Sequence, residues 1–104
     1  MKVYLGGTFD PVHNGHIYLA KELVSKLKIE KLYLMPCYSA VHKETVTASA
    51  IQRLDMLKIA TSIYPGLAID QREIIHSGPS YTFDSLASIR AEERESSVCF
   101  VMGI

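Results

Sequence analysis

The stretch GGTFDPVHNGH at residues 6–16, directly after MKVYL, constrains this chain more than any other. The apolar opening reads as a short buried strand over residues 2–6. Gly6 and Gly7 stop it, and glycine permits close backbone approach and unusual dihedrals there. Pro11 forbids an early helix, while His13 and His16 bracket Asn14-Gly15, where a helix begins. Strand, glycine turn and helix start are thus packed into one short segment.

The rest of the chain repeats that alternation. Residues 15–28 read as a helix with Ile17, Ala20, Leu23, Val24 and Leu27 on one face. Residues 31–35 (KLYLM) read as a second strand ended by Pro36, and residues 37–48, without a clear period, as a long loop. Ser49 and Gln52 have capping-box spacing, and Ile51, Leu54, Leu57 and Ala60 supply the apolar stripe of a second helix, stopped at Pro65-Gly66. Residues 67–70 read as a third strand and residues 72–81 as a second long loop, in which His76 has no role. A third helix begins near Thr82, with Asp84 in its first turn, where a carboxylate suits the helix dipole. Phe83, Leu86 and Ile89 form its buried side, and residues 97–103 (SVCFVMG) read as a fourth buried strand.

The order β-α-β-α-β-α-β predicts an α/β fold: a Rossmann-like parallel sheet in one domain, residues 1–104, with helices on both faces and right-handed crossovers. In such sheets ligands bind beyond the carboxyl ends of the strands, where the strand order reverses. The loops at 6–16, 36–48 and 72–82 each follow a strand and fall along that edge. No helix follows the last strand. The domain is therefore expected to be incomplete at its carboxyl end, truncated after the fourth strand, and to self-associate through that exposed strand.

Composition narrows the function classes. Eleven basic and eleven acidic residues cancel, so no field directs the chain to nucleic acid or to a membrane surface. No apolar run approaches the roughly 18 residues of a membrane span, and MKVYL is too short for a signal-peptide core. Cys37 and Cys99 lack metal-ligand spacing and read as free thiols of a cytoplasmic protein.

The opening motif suits an anion. Thr8 offers a hydroxyl beside the glycines, and the first turn of the following helix adds unpaired N–H groups and a positive dipole end. His13 and His16, across a tight Asn-Gly turn from that helix start, can face one phosphate between them. Half of a metal site is the alternative, but no third ligand stands at suitable spacing. The glycines spell neither the G-x-G-x-x-G dinucleotide fingerprint nor a Walker A loop.

His13-Asn14-Gly15-His16 resembles the T/H-x-G-H signature of the adenylyltransferase and cytidylyltransferase superfamily. HKE at 42–44, RE at 72–73 and GPSYTFDSL at 78–86 resemble bacterial nicotinate-nucleotide adenylyltransferase, and the likeness runs on to CFVMG at 99–103. The resemblance implies adenylyl transfer from ATP to nicotinate mononucleotide, giving deamido-NAD and pyrophosphate, with Mg²⁺ carried in on the triphosphate. It implies His13, His16 and Lys43 as catalytic residues, with His16 closest to the transferring group. Gly6, Gly7, Thr8, Phe9, His13, His16 and Gly103 would bind ATP. Ser80, Tyr81 and Thr82 would bind nicotinate mononucleotide, its carboxylate read by backbone N–H groups at a helix start.

The sequence departs from the family in two places. Ala40-Val41 stand where two prolines often precede the His-Lys pair. The family's later acidic residue, stacking aromatic (usually Trp) and Arg-bearing ATP motif have no counterpart, and the chain has no Trp. The resemblance therefore covers an amino-terminal half, and these 104 residues alone are expected not to adenylylate at a useful rate. The alternatives are a non-catalytic remnant and a related enzyme such as phosphopantetheine adenylyltransferase or a glycerol-phosphate nucleotidyltransferase; GPSYT argues against the latter two.

Overall fold

Alternation along the first strand, β1 (Lys2–Gly7), divides the core into two layers. Val3 and Leu5 point to one face, where they pack with Ile17, Ala20, Leu32, Leu34 and Leu57. Tyr4 points to the other, where it meets Met35 and Ile89. The computed structural model describes residues 1–7, 9, 12–38, 49–76, 82–94 and 96–102, with the backbone alone at Thr82 and Phe83.

Three more strands are described: β2 (Leu32–Pro36), β3 (Leu67–Ile69) and β4 (Val98–Met102). The sheet is parallel throughout, in the order β3-β2-β1-β4, with Val3 opposite both Leu32 and Cys99. The helices are α1 (Asn14–Leu27), α2 (Ala50–Thr61), α3 (Arg72–His76) and α4 (Thr82–Glu92). From β1 to β3 the chain steps in one direction; it then crosses back to place β4 on the far side of β1. Right-handed crossovers therefore put α1 and α2 on one face and α4 on the other. Ile17 and Leu57 in one core layer and Ile89 in the second agree with that. The strand order reverses between β1 and β4, so the chain leaving Gly7 emerges at the switch point.

Several expectations are corrected. Residues 72–76, expected in a loop, form α3. Five residues make a helix too short to hold by itself; Ile74 anchors it against Ala50 and Leu54 of α2. In α2 the buried stripe is Ala50, Arg53, Leu54, Leu57 and Thr61, which leaves Ile51 exposed. In α4, Ser85 and Ile89 are buried and Leu86 faces solvent. Helix α1 starts at Asn14 and stops at Leu27, which is exposed, because Lys28 turns left-handed at φ 53°. β4 is half-buried, not buried, because it has a strand neighbour on one side only among the described residues.

Candidate functional site

The site begins where β1 ends. Gly7 O accepts the Cys37 N–H at 3.1 Å, which ties the exit of β1 to the exit of β2. A Cβ on Gly6 would lie 2.8 Å from Cζ of Phe100 on β4, so any side chain there would have to push that ring aside. Phe9 follows with φ 50°, a left-handed conformation that strains an aromatic residue, yet its side chain is buried. Burying the ring offsets that strain. It lies on Gly7 and meets the His16 ring edge-on, centroids 4.9 Å apart.

His13 is the N-cap of α1, in extended conformation. Its Nδ1 accepts the Gly15 N–H at 3.0 Å, and Nδ1 of His16 accepts the His13 N–H at 3.0 Å. The two rings stack with centroids 3.8 Å apart and planes 26° apart. A Cβ on Gly15 would come within 2.8 Å of His13 Cε1, so glycine is what lets the ring close over the helix end. Burial, and then the neighbouring His13, push the His16 imidazole below its ordinary pKa.

Two expectations change here. Asn14 and Gly15 are the first residues of α1, not a turn before it. The first-turn amides expected to be unpaired are largely taken, since Gly15 N–H goes to the His13 ring and His16 N–H to the His13 carbonyl at 3.0 Å. No described residue accepts from Nε2 of either histidine.

Gly6, Gly7, Phe9, His13 and His16 are thus brought together at the β1 exit. Thr8, Lys43, Ser80, Tyr81 and Gly103 lie outside the described residues; of Thr82 the backbone is described, as the first residue of α4. Among the described residues no three His, Cys, Asp or Glu side chains gather to hold a metal ion. The described residues therefore offer no cage for Mg²⁺, and the accepting Nδ1 atoms of the histidine pair are already engaged.

Three polar residues around this edge were given no role in the sequence reading, although Arg72 and Glu73 are the RE pair that carries part of the resemblance. Arg53, with no exposed surface, donates from Nη1 to Cys37 O at 2.7 Å and from Nη2 to Tyr38 O. Glu73 accepts the Ser85 hydroxyl, joining α3 to α4 with both side chains buried. Burial raises the Glu73 carboxyl above its ordinary pKa. Arg72 forks onto Asp70 at 2.8–3.0 Å and reaches Ser88 and Glu92 at 2.9 Å each. For Arg53 the signal in the sequence was a polar residue on a helical stripe that is otherwise buried; for Arg72 and Glu73 it was the RE pair itself.

Fold and site together define a Rossmann-like α/β domain with a stacked histidine pair beside the order reversal. The chain belongs to the Cytidylyltransferase-like family, which it matches over residues 4–103. A relative from Vesicomyosocius okutanii named "Probable nicotinate-nucleotide adenylyltransferase" is 44% identical over 97% of this chain and 48% of its own length. One from Cellvibrio japonicus with the same name is 46% identical over 94% of this chain and 47% of its own. The chain spans about half the length of the curated relatives it matches. The solved nicotinic acid mononucleotide adenylyltransferase of Plasmodium falciparum, complexed with NaAD, superposes with a TM-score of 0.80 at 20% identity. It covers all of this chain with 52% of its own, a likeness of fold.

Proposed function

We propose that the chain is the amino-terminal half of an enzyme that transfers the adenylyl group of ATP to nicotinate mononucleotide, giving deamido-NAD and pyrophosphate. The carrying observation is the capped histidine pair at the switch point, in a chain whose relatives bear that name. A phosphate monoester is largely dianionic at pH 7, so it can attack the α-phosphorus of ATP without a protein base. The chain's own residues then have to align the reactants and stabilise charge. His13 and His16 contact the triphosphate, with Gly6, Gly7, Thr8, Phe9 and Gly103 along the nucleotide and Lys43 as a further cation. Ser80, Tyr81 and the start of α4 at Thr82 hold the nicotinate carboxylate. Mg²⁺ enters as part of the ATP substrate. The reading carries with it a cytoplasmic setting, in keeping with Cys37 and Cys99, which are not disulfide-bonded.

The test is adenylylation by the chain alone and by the chain fused to the carboxyl-terminal half of the Vesicomyosocius okutanii relative. Pyrophosphate release is followed with ATP and either nicotinate or nicotinamide mononucleotide. The fusion is expected to turn over and to prefer nicotinate, and the chain alone to lack a useful rate. A folded fusion that binds neither ATP nor nicotinate mononucleotide overturns the reading. Sedimentation of the chain alone tests the accompanying proposal, that copies pair through the edge of β4; a clean monomer refutes it.

A further inference from the structure

A backbone N–H can only donate. Nδ1 of His13, 3.0 Å from the Gly15 nitrogen, and Nδ1 of His16, 3.0 Å from the His13 nitrogen, must therefore each present a lone pair. A neutral imidazole carries one N–H, which leaves the proton on Nε2 in both rings. We propose that His13 and His16 form a reciprocal capping box built from two imidazoles, which locks both in the Nε2–H tautomer and makes them paired neutral donors to phosphate oxygens. The ligand rests on the phosphate reading above; the tautomers do not.

Independent features push the same way. A capping box ordinarily joins a Ser or Thr to a Glu or Gln, and α2 shows that form: Ser49 Oγ accepts the Gln52 N–H at 3.1 Å and Gln52 Oε1 accepts the Ser49 N–H at 3.0 Å. Helix α1 obtains equivalent acceptors from two Nδ1 atoms, and each ring still has an N–H to offer. Charging either ring would put a proton on Nδ1 and set it against an amide hydrogen, losing the cap. Charging both would put two cations face to face at 3.8 Å, at the positive end of a helix. The first-turn amides at Gly15 and His16 are consumed inside the helix end, so ring donors take the place that amides hold in an ordinary helix-terminus anion site. The absent Cβ at Gly15 and the edge-on Phe9 ring hold the pair in this geometry.

The experiment is long-range ¹H–¹⁵N correlation of the imidazoles in the 104-residue chain at neutral pH, with assignment from His13→Asn and His16→Gln. Both rings are expected as Nε2–H with an unprotonated Nδ1. An Nδ1–H tautomer or an imidazolium at either position overturns the proposal. Amide exchange gives a second readout: the His13 N–H stays protected in His16→Gln, whose amide oxygen replaces Nδ1, and exchanges several-fold faster in His16→Ala. Equal protection in wild type and His16→Ala also overturns it. ATP is then added to the wild-type chain and is expected to shift both Nε2–H signals without changing the tautomer. Nε2–H signals that ATP leaves unmoved sink the phosphate reading and leave the lock standing.

Discussion

The entrance of α1 and the α3–α4 pair are held by opposite means. At α1 the hydrogen bonds of His13 and His16 span two and three residues, and they lie exposed. Between α3 and α4, Glu73 and Ser85 are 12 residues apart, Arg72 and Ser88 16, and Arg72 and Glu92 20, with the Glu73–Ser85 bond buried. The first region is written into consecutive residues and forms as soon as the helix does. The second exists only when the sheet has brought distant segments together. Local chemistry survives distant substitutions; assembled chemistry survives only as long as the fold.

The sharpest separation comes from His16→Ala in the fused protein. Losing one preorganised donor at the transferring phosphate is expected to lower turnover by on the order of 10²–10³. Binding of nicotinate mononucleotide should stay nearly intact, because the site proposed for it lies toward α4. A parallel loss of that binding, measured directly, would show that the two regions act as one.

Glu73→Ala is expected to act on stability instead. It strips the partner from a buried hydroxyl, a loss of roughly 1–3 kcal/mol. Ser85→Ala should do much the same, and the double variant little more than either, since the two side chains form one interaction. Urea unfolding of all three checks this. Additive losses would mean that the residues do not depend on each other.

Gly15→Ala brings two local effects into opposition. Displacing the His13 ring from its cap costs about 1 kcal/mol, while replacing a helical glycine by alanine returns up to about 1 kcal/mol. Stability should hardly move, yet the His13 ring signals should shift and ATP binding weaken. Unchanged His13 signals would show that the ring tolerates the extra methyl.

The smallest expected effect is in pH. His16 sits below its ordinary 6.5 when folded, so its share of stability is present above that pH and lost as pH falls toward the folded value. Glu73 sits above its ordinary 4.5, so its share is full below that value and is lost as pH rises through the folded pKa. His16→Gln and Glu73→Gln should therefore change the slope of stability against pH in opposite senses. Slopes of the same sign would contradict the burial that sets both shifts.

The same contrast decides what the sequence revealed. The alternation of strands and helices, the parallel sheet and the histidine cluster were legible because hydrophobic period, glycine and proline are local signals. Ile51 and Leu86 were misplaced because Arg53 and Ser85 hold the buried positions beside them. A binary pattern assigns polar residues to solvent, and it cannot see the Cys37 carbonyl or the Glu73 carboxylate arriving from elsewhere. REIIH looked like loop for the same reason: its stability lies in Ile74 against α2 and in Glu73, not in its own length.

Arg53 also has an architectural consequence. It grips the carbonyls of Cys37 and Tyr38 from the first turn of α2, just after the Ser49–Gln52 box. A single guanidinium thereby serves as a rivet: it fixes the exit of β2 to the start of α2 and, through the Cys37 N–H on Gly7 O, the exit of β1 as well.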